Sequence, residues 1–220
     1  MNLDIQTVTE VNTPANFIAR HILEELNAGK KVLWFMTGGS SMTLGIEVAK
    51  IISQHPHKNL TVTLTDERYG PINHINSNWY QMILNGFNLP EATLIPVLLG
   101  LDRTLTAQKW NAILEQEFKN TDYKIGLFGV GKDGHVAGIL PQSGAVNSQN
   151  LVFDYITETF ERITITPKAI SQLNEAVVFT QGRDKWQVIE DLKNEISLPL
   201  QPAQILKKVP LLKIFSDYNK

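Results

Sequence analysis

Residues 124–141 read Lys-Ile-Gly-Leu-Phe-Gly-Val-Gly-Lys-Asp-Gly-His-Val-Ala-Gly-Ile-Leu-Pro. Ile125, Leu127 and Phe128 read as a short buried strand. Gly126, Gly129, Gly131 and Gly134 crowd into the turn that leaves it, so the backbone there can come close to a ligand. The turn ends on Asp133 and His135. A histidine beside a carboxylate, at a strand's end, is a candidate general base in an open crevice. The competing reading is a tight strand-to-helix turn whose histidine only caps the helix.

The same strand-then-glycine pattern occurs upstream. Residues 31–37 (Lys-Val-Leu-Trp-Phe-Met-Thr) form a nearly continuous apolar run, as a parallel strand buried on both faces would. The run stops at Gly38-Gly39-Ser40-Ser41, and Leu44, Val48, Ile51 and Ile52 then recur at helical spacing. A glycine-serine turn at a helix N-terminus is a ready anion site. It can equally be a small-residue packing loop, since it lacks both the dinucleotide spacing and the lysine of a triphosphate loop.

Further strands and helices alternate along the chain. Thr13-Pro14 predicts a helix start, with Ala19, Ile22, Leu23 and Leu26 on one face and Gly29 as its end. Leu60, Val62 and Leu64 alternate with threonines and deliver Asp66-Glu67-Arg68 to a strand's end, either as a solvated ion-paired turn or as part of a ligand crevice. Ser77-Asn78 starts a short helix carrying Trp79, Met82 and Ile83. A strand over 93–99 precedes a helix on which Ala107, Trp110, Leu114 and Phe118 share a face. Strands follow at 151–156, at 162–166 before Pro167, and at 176–180 before Gln181-Gly182. Trp186, Ile189, Leu192 and Ile196 then line a helix. Its first turn carries Arg183 and Lys185, cations poorly placed at a helix start unless they meet an anion or are simply solvated. The tail from Leu198 is expected to pack across the surface, and His55-Pro56-His57 to be a solvated loop and not a metal site.

The expected fold is α/β: a mostly parallel, Rossmann-like sheet with helices on both faces, in a single domain. The 220 residues suit one sizeable core, and Lys+Arg 20 against Asp+Glu 22 gives a net charge of -2. That balance argues against a nucleic acid or an acidic membrane as main partner. The absence of cysteine excludes disulfides, thiolate metal sites and cysteine nucleophiles. No leader-like or membrane-spanning run is present, so a cytoplasmic location is expected.

Taken together, Gly38-Gly39-Ser40, Asp66-Glu67-Arg68 with Pro71 and Ser77-Asn78, the 129–135 turn, Arg162-Ile163-Thr164 and Gly182-x-x-Lys185 resemble, in order and spacing, the 6-phosphogluconolactonases. These belong to a wider group that includes the glucosamine-6-phosphate deaminases. Two details favour the lactonases. The deaminases usually follow the acidic pair with an aromatic residue where this chain has Arg68. They also carry a glutamate downstream of the histidine, where residues 136–141 here hold no carboxylate. Lys132, Gly138, Gln142 and Met42 depart from the lactonase pattern, standing where proline, serine, glycine and (nearby) proline are usual.

The resemblance implies that residues 1–220 form one sugar-phosphate-binding domain that hydrolyses 6-phospho-D-glucono-1,5-lactone in the pentose phosphate pathway. It implies no metal or organic cofactor, no nucleic-acid or membrane partner, and a monomer or small homo-oligomer. His135 is then the expected base, Asp66 an orienting carboxylate and Asp133 its support. Gly38, Gly39, Ser40, Arg68, Arg162 and Lys185 are expected to hold the phosphate. The rivals are a deaminase or sugar-phosphate isomerase, and a non-catalytic sugar-phosphate sensor.

Overall fold

The computed structural model describes residues 3–219. Met1 and Asn2, which begin the segment expected to carry no leader, and Lys220 lie outside the described residues. The strand predicted over 31–37 is β2 (Val32–Met36), buried at every position. It pairs in parallel with β3 (Leu60–Leu64) on one side and β6 (Tyr123–Phe128) on the other. A strand with helices on both faces has no solvated side, which is why its apolar run is unbroken.

Seven strands complete the sheet in the order β1, β10, β9, β6, β2, β3, β5, every neighbouring pair parallel. Here β1 is Asp4–Thr7, β5 is Thr93–Leu94, β9 is Glu175–Thr180 and β10 is Leu211–Ser216. From β2 the chain moves outward to β3 and β5, then returns to lay β6 against the other side of β2. That reversal between β2 and β6 is the topological switch point, where open α/β sheets leave a crevice beyond the strands' carboxyl ends. The two glycine turns picked out in the sequence leave β2 and β6, so both open onto this crevice.

The helices are α1 (Asn12–Asn27), α2 (Met42–Ile52), α3 (Asn78–Leu84), α4 (Arg103–Asn120), α5 (Pro167–Ile170) and α6 (Trp186–Asp191). Among the described residues, none is long and apolar enough to cross a membrane. Trp110 and Leu114 of α4 are buried, as their spacing predicts, and Ser77 caps α3 by accepting from the Tyr80 amide.

The structure departs from the sequence expectations in several places. Asp66–Arg68 is not the end of β3 but a strand of its own, β4, in a second, three-stranded antiparallel sheet with β8 (Glu161–Ile165) and β7 (Val152–Ile156). Thr65 joins the sheets, its amide donating to the Met36 carbonyl at 2.7 Å and its carbonyl accepting from the Ile165 amide at 2.9 Å. The turn after β6 leads into no helix. It is closed by single bridges of Val136 to Val130 and to Ile139. The helix expected to reach Ile196 ends at Asp191, and the strand expected over 93–99 is only Thr93–Leu94. His57 is buried, not solvated: its Nδ1 lies 2.7 Å from the His55 carbonyl, and its Nε2 accepts from the Glu91 amide.

The largest correction concerns the tail. Instead of crossing the surface, Leu211–Ser216 lies inside the sheet between β1 and β9. Lys213 breaks its apolar run because its ammonium reaches Asp4 of the edge strand at 2.7 Å. Phe215 is fully buried and meets Phe17 edge-on, with ring centroids 5.4 Å apart. Phe215→Ala should therefore cost the fold about 3–5 kcal/mol, the usual loss for a buried aromatic in a core. Urea unfolding measures this directly, whereas a surface strap would lose well under half as much.

Candidate active site

The carboxyl ends of β2, β6 and β9, together with β4 and the amino-terminal end of β8, surround a cavity of about 280 Å³. Of the residues picked from sequence, Gly38, Gly39, Ser40 and Asp66 line it, together with Arg68, His135, Arg162 and Lys185. Asp133 does not line it. It stands behind His135.

The β2 turn packs tightly on α3. A Cβ on Gly38 would sit 2.3 Å from Asn78 Oδ1, so only glycine lets the turn settle there. Asn78 in turn donates its amide to the Asp66 carbonyl at 3.0 Å. Ser41 Oγ donates to the Phe179 carbonyl at 2.7 Å, fastening the turn to β9, while Ser40 remains exposed beside the cavity.

The β6 turn is shaped around the imidazole. A Cβ on Gly131 would fall 2.1 Å from His135 Nδ1, so the ring occupies space only a glycine leaves open. The Gly131 amide donates to the His135 carbonyl, and the Gly134 carbonyl accepts from the Ala203 amide at 2.9 Å. Asp133 Oδ1 lies 2.6 Å from His135 Nδ1 and also accepts from its backbone amide. That hydrogen bond from His135 holds the Asp133 carboxyl down at about 2, so it is ionised and its partner Nδ1 carries a proton. Nε2 is then the ring nitrogen left to accept one.

The second sheet supplies cations. In the β4–β8 register Arg68 stands directly opposite Arg162, and like charges so placed repel. Phe160 lies under both guanidinium groups, 4.6 Å from Arg68 Cζ and 5.8 Å from Arg162 Cζ. Asp66, buried, meets Arg162 Nη1 at 3.7 Å and accepts from Thr65 Oγ1 at 3.0 Å. Burial pushes the Asp66 carboxyl above its usual range, and Arg162 and Thr65 only partly oppose this. Arg162 Nε is buried without a hydrogen-bond partner, and Lys185 makes no ion pair among the described residues. Cations with spare donors facing one another across a hollow suit an anionic ligand.

Glu67 had no role assigned from sequence, yet it organises this side of the cavity. Fully buried, it accepts from the amides of Arg68, Asn78 and Trp79 and from Ser77 Oγ, at 2.6 to 3.0 Å. The usable signal was Ser77-Asn78 at a helix start, since free amides there need an acceptor. Tyr155 went unnoticed altogether: its hydroxyl donates to the Gly138 carbonyl at 2.5 Å and accepts from the Leu140 amide.

A family model described as glucosamine-6-phosphate isomerases/6-phosphogluconolactonase matches residues 9–211. The chain belongs to this family. A 6-phosphogluconolactonase of Borreliella burgdorferi is 28% identical over 170 residues, covering 71% of this chain and 72% of the relative. The fold matches that of the 6-phosphogluconolactonase from Shewanella baltica with a TM-score of 0.83 at 19% identity, covering 98% and 97% of the two chains. The Thermotoga maritima 6-phosphogluconolactonase gives 0.81 at 21%, covering 98% and 99%.

Two departures from the family pattern have physical correlates. A Cβ at Gly138 would lie 2.8 Å from Thr164 Cβ and 3.1 Å from Asp66 Cβ, so a serine would not fit here without a shift. Gln142 has a φ of 60°, a conformation that suits the glycine common in the family. Ala137, which lines the cavity, is also left-handed at 52°.

Gly131→Ala should dislodge the imidazole and break its bond to Asp133. A carboxyl NMR titration would then find Asp133 moving from about 2 towards an ordinary aspartate value near ~3.9. Because the folded-state value is depressed, the stability this pair contributes is present above the ordinary carboxyl pKa and lost as pH falls through about 2. An unmoved Asp133 titration would show that the ring tolerates the added methyl.

Proposed function

We propose that this family member hydrolyses 6-phospho-D-glucono-1,5-lactone to 6-phosphogluconate in the cytoplasmic pentose phosphate pathway, with His135 activating the water. One observation carries the reading: an imidazole pinned through Nδ1 by an ionised carboxylate shares a small hollow with three cations and a glycine-serine turn. Arg68 after the acidic pair, and the lack of a carboxylate in 136–141, favour a lactonase over a deaminase.

In this reading the phosphate rests on Gly38, Gly39 and Ser40 and is paired by Arg68, Arg162 and Lys185. Binding the distant dianion fixes the sugar ring with its carbonyl near His135, converting binding energy into orientation. Nε2 takes a proton from water as the oxygen adds to the carbonyl carbon. The imidazolium that forms is stabilised by Asp133, much as a carboxylate supports a catalytic histidine elsewhere. The charge on the carbonyl oxygen develops beside the cations. Collapse breaks the bond to the ring oxygen, which takes the proton back from His135. Asp66, beside Arg162, orients the water or the His135 imidazole.

The decisive assay follows fresh phosphogluconolactone with and without protein, subtracting the spontaneous rate. A rate no higher than buffer, or ammonia release from glucosamine 6-phosphate, would overturn the assignment. Within it, His135→Ala should lower turnover by about 10²–10⁴-fold, the usual worth of a general base, while 6-phosphogluconate still binds.

Asp66→Asn is expected to separate activity from stability. The wild-type carboxyl pKa is raised by burial, so its ionised form weakens the fold at neutral pH, and this cost is relieved as pH falls through that raised value. The amide variant should therefore be at least as stable at pH 7, lose that advantage on acidification, and turn over more slowly. Thermal melts across pH beside the rate assay read both.

A further inference from the structure

Two cations, Arg183 and Lys185, sit in the 3₁₀ turn that precedes α6, but they behave differently. Arg183 is exposed, its guanidinium 5.7 Å from the Trp186 ring, whereas Lys185 lines the cavity. The turn that carries them is fastened by a carboxylate distant in sequence, Asp217. β10 pairs with β9 so that Ser216 stands level with Thr180. This register carries Asp217 to the cavity end of the sheet, beside the turn that leaves β9.

The Gly182 amide donates to both Asp217 oxygens, at 3.1 and 3.0 Å, and Trp186 Nε1 donates to Oδ1 at 3.0 Å. The carboxylate thus holds the turn at both of its ends, on either side of Lys185. Gly182 has a φ of 108°, a backbone conformation open to glycine and costly for other residues. It closes the turn by accepting from the Lys185 amide at 3.0 Å. A conformation of that kind persists only when its surroundings over-determine it, and Asp217 supplies two of the holding contacts.

We infer that Asp217 is a positioning residue for the anion site: it fixes the Gly182–Lys185 turn so that the Lys185 ammonium is held towards the substrate's phosphate. The inference rests on the proposed reading of Lys185 as a phosphate-binding cation. It adds a residue from just beyond the last strand that contacts no substrate and acts only through the turn. Ordering the turn only when the anion binds would cost conformational freedom, and a turn fixed in advance avoids that cost.

The test is a double-mutant cycle read by calorimetric titration of 6-phosphogluconate, with steady-state kinetics on the lactone. Asp217→Ala should weaken 6-phosphogluconate binding and raise KM by about tenfold, the scale of one charge-assisted hydrogen bond, with kcat changed by less than about twofold. In a Lys185→Ala background the same change should have no further effect. Tyr218→Phe, which removes the neighbouring contact to Lys193, is the comparison for general loosening of this segment: it should lower the melting temperature and leave affinity unchanged. If Asp217→Ala fails to fold, Asp217→Asn keeps the volume and should give a smaller loss in the same direction. Unchanged affinity in a folded Asp217 variant, or an equal loss with and without Lys185, would overturn the inference while the lactonase reading stands. Failure of the wild-type protein to bind 6-phosphogluconate would overturn that reading and this inference with it.

Discussion

The buried carboxylate of Glu67 constrains more of this molecule than any other single group. Removing a charge from water is costly unless donors surround it, and Glu67 meets that condition with three backbone amides and the Ser77 hydroxyl. Three of those four donors come from the cap and first residues of α3, where amides lack partners within the helix. One interaction therefore satisfies the helix start, locks α3 to β4, and sets the neighbours on either side. Asp66 and Arg68 flank it in sequence, and Asn78, which donates its backbone amide to it, is the residue against which the Gly38 turn packs. Burial pushes the Glu67 carboxyl upward while its donors pull it down.

Around that clamp the two sheets divide the labour. The parallel sheet brings two glycine turns together, because reversing the strand order between β2 and β6 leaves their outgoing loops side by side. The antiparallel sheet brings cations, because its register sets Arg68 across from Arg162. The repulsion between them is eased by the Phe160 ring under both and by Asp66 beside Arg162, and an anion bound in the hollow would offset it further. Asp66, placed at the junction by Thr65, brings a buried carboxyl into the same space. Two adjacent buried carboxyls, Asp66 and Glu67, gather here, while most of the rest of the core is apolar.

Much of this was legible in sequence. β2, β6 and β9 betrayed themselves as apolar runs because strands covered on both faces need no polar alternation. The glycine turns were legible because glycines clustered at a strand's end mark a backbone that must bend sharply or be approached closely. What escaped detection did so for physical reasons. β10 was missed because Lys213, serving an edge partner, interrupts its apolar run, and β1 because an edge strand reading Asp-Ile-Gln-Thr needs little apolar character. β4 was hidden by its charge: Asp66-Glu67-Arg68 looks like a solvated turn until the donors around Glu67 are known, and three of the four come from residues ten or more positions away. A neighbour relation of that kind is a property of the folded chain, not of any window of sequence.

The place of β10 also bears on how the molecule comes into being. β1 and β10 hold residues such as Asp4 and Lys213, 209 positions apart, in contact, and among the described residues β1 has no other strand beside it. A ribosome therefore releases β1 long before β10 exists for it to pair with, and the β9 edge stays open until residues 211–216 emerge. Contacts so distant in sequence make assembly slow and leave an unpaired β9 edge exposed meanwhile. Nascent chains stalled before residue 211 would present that edge to chaperones or to one another.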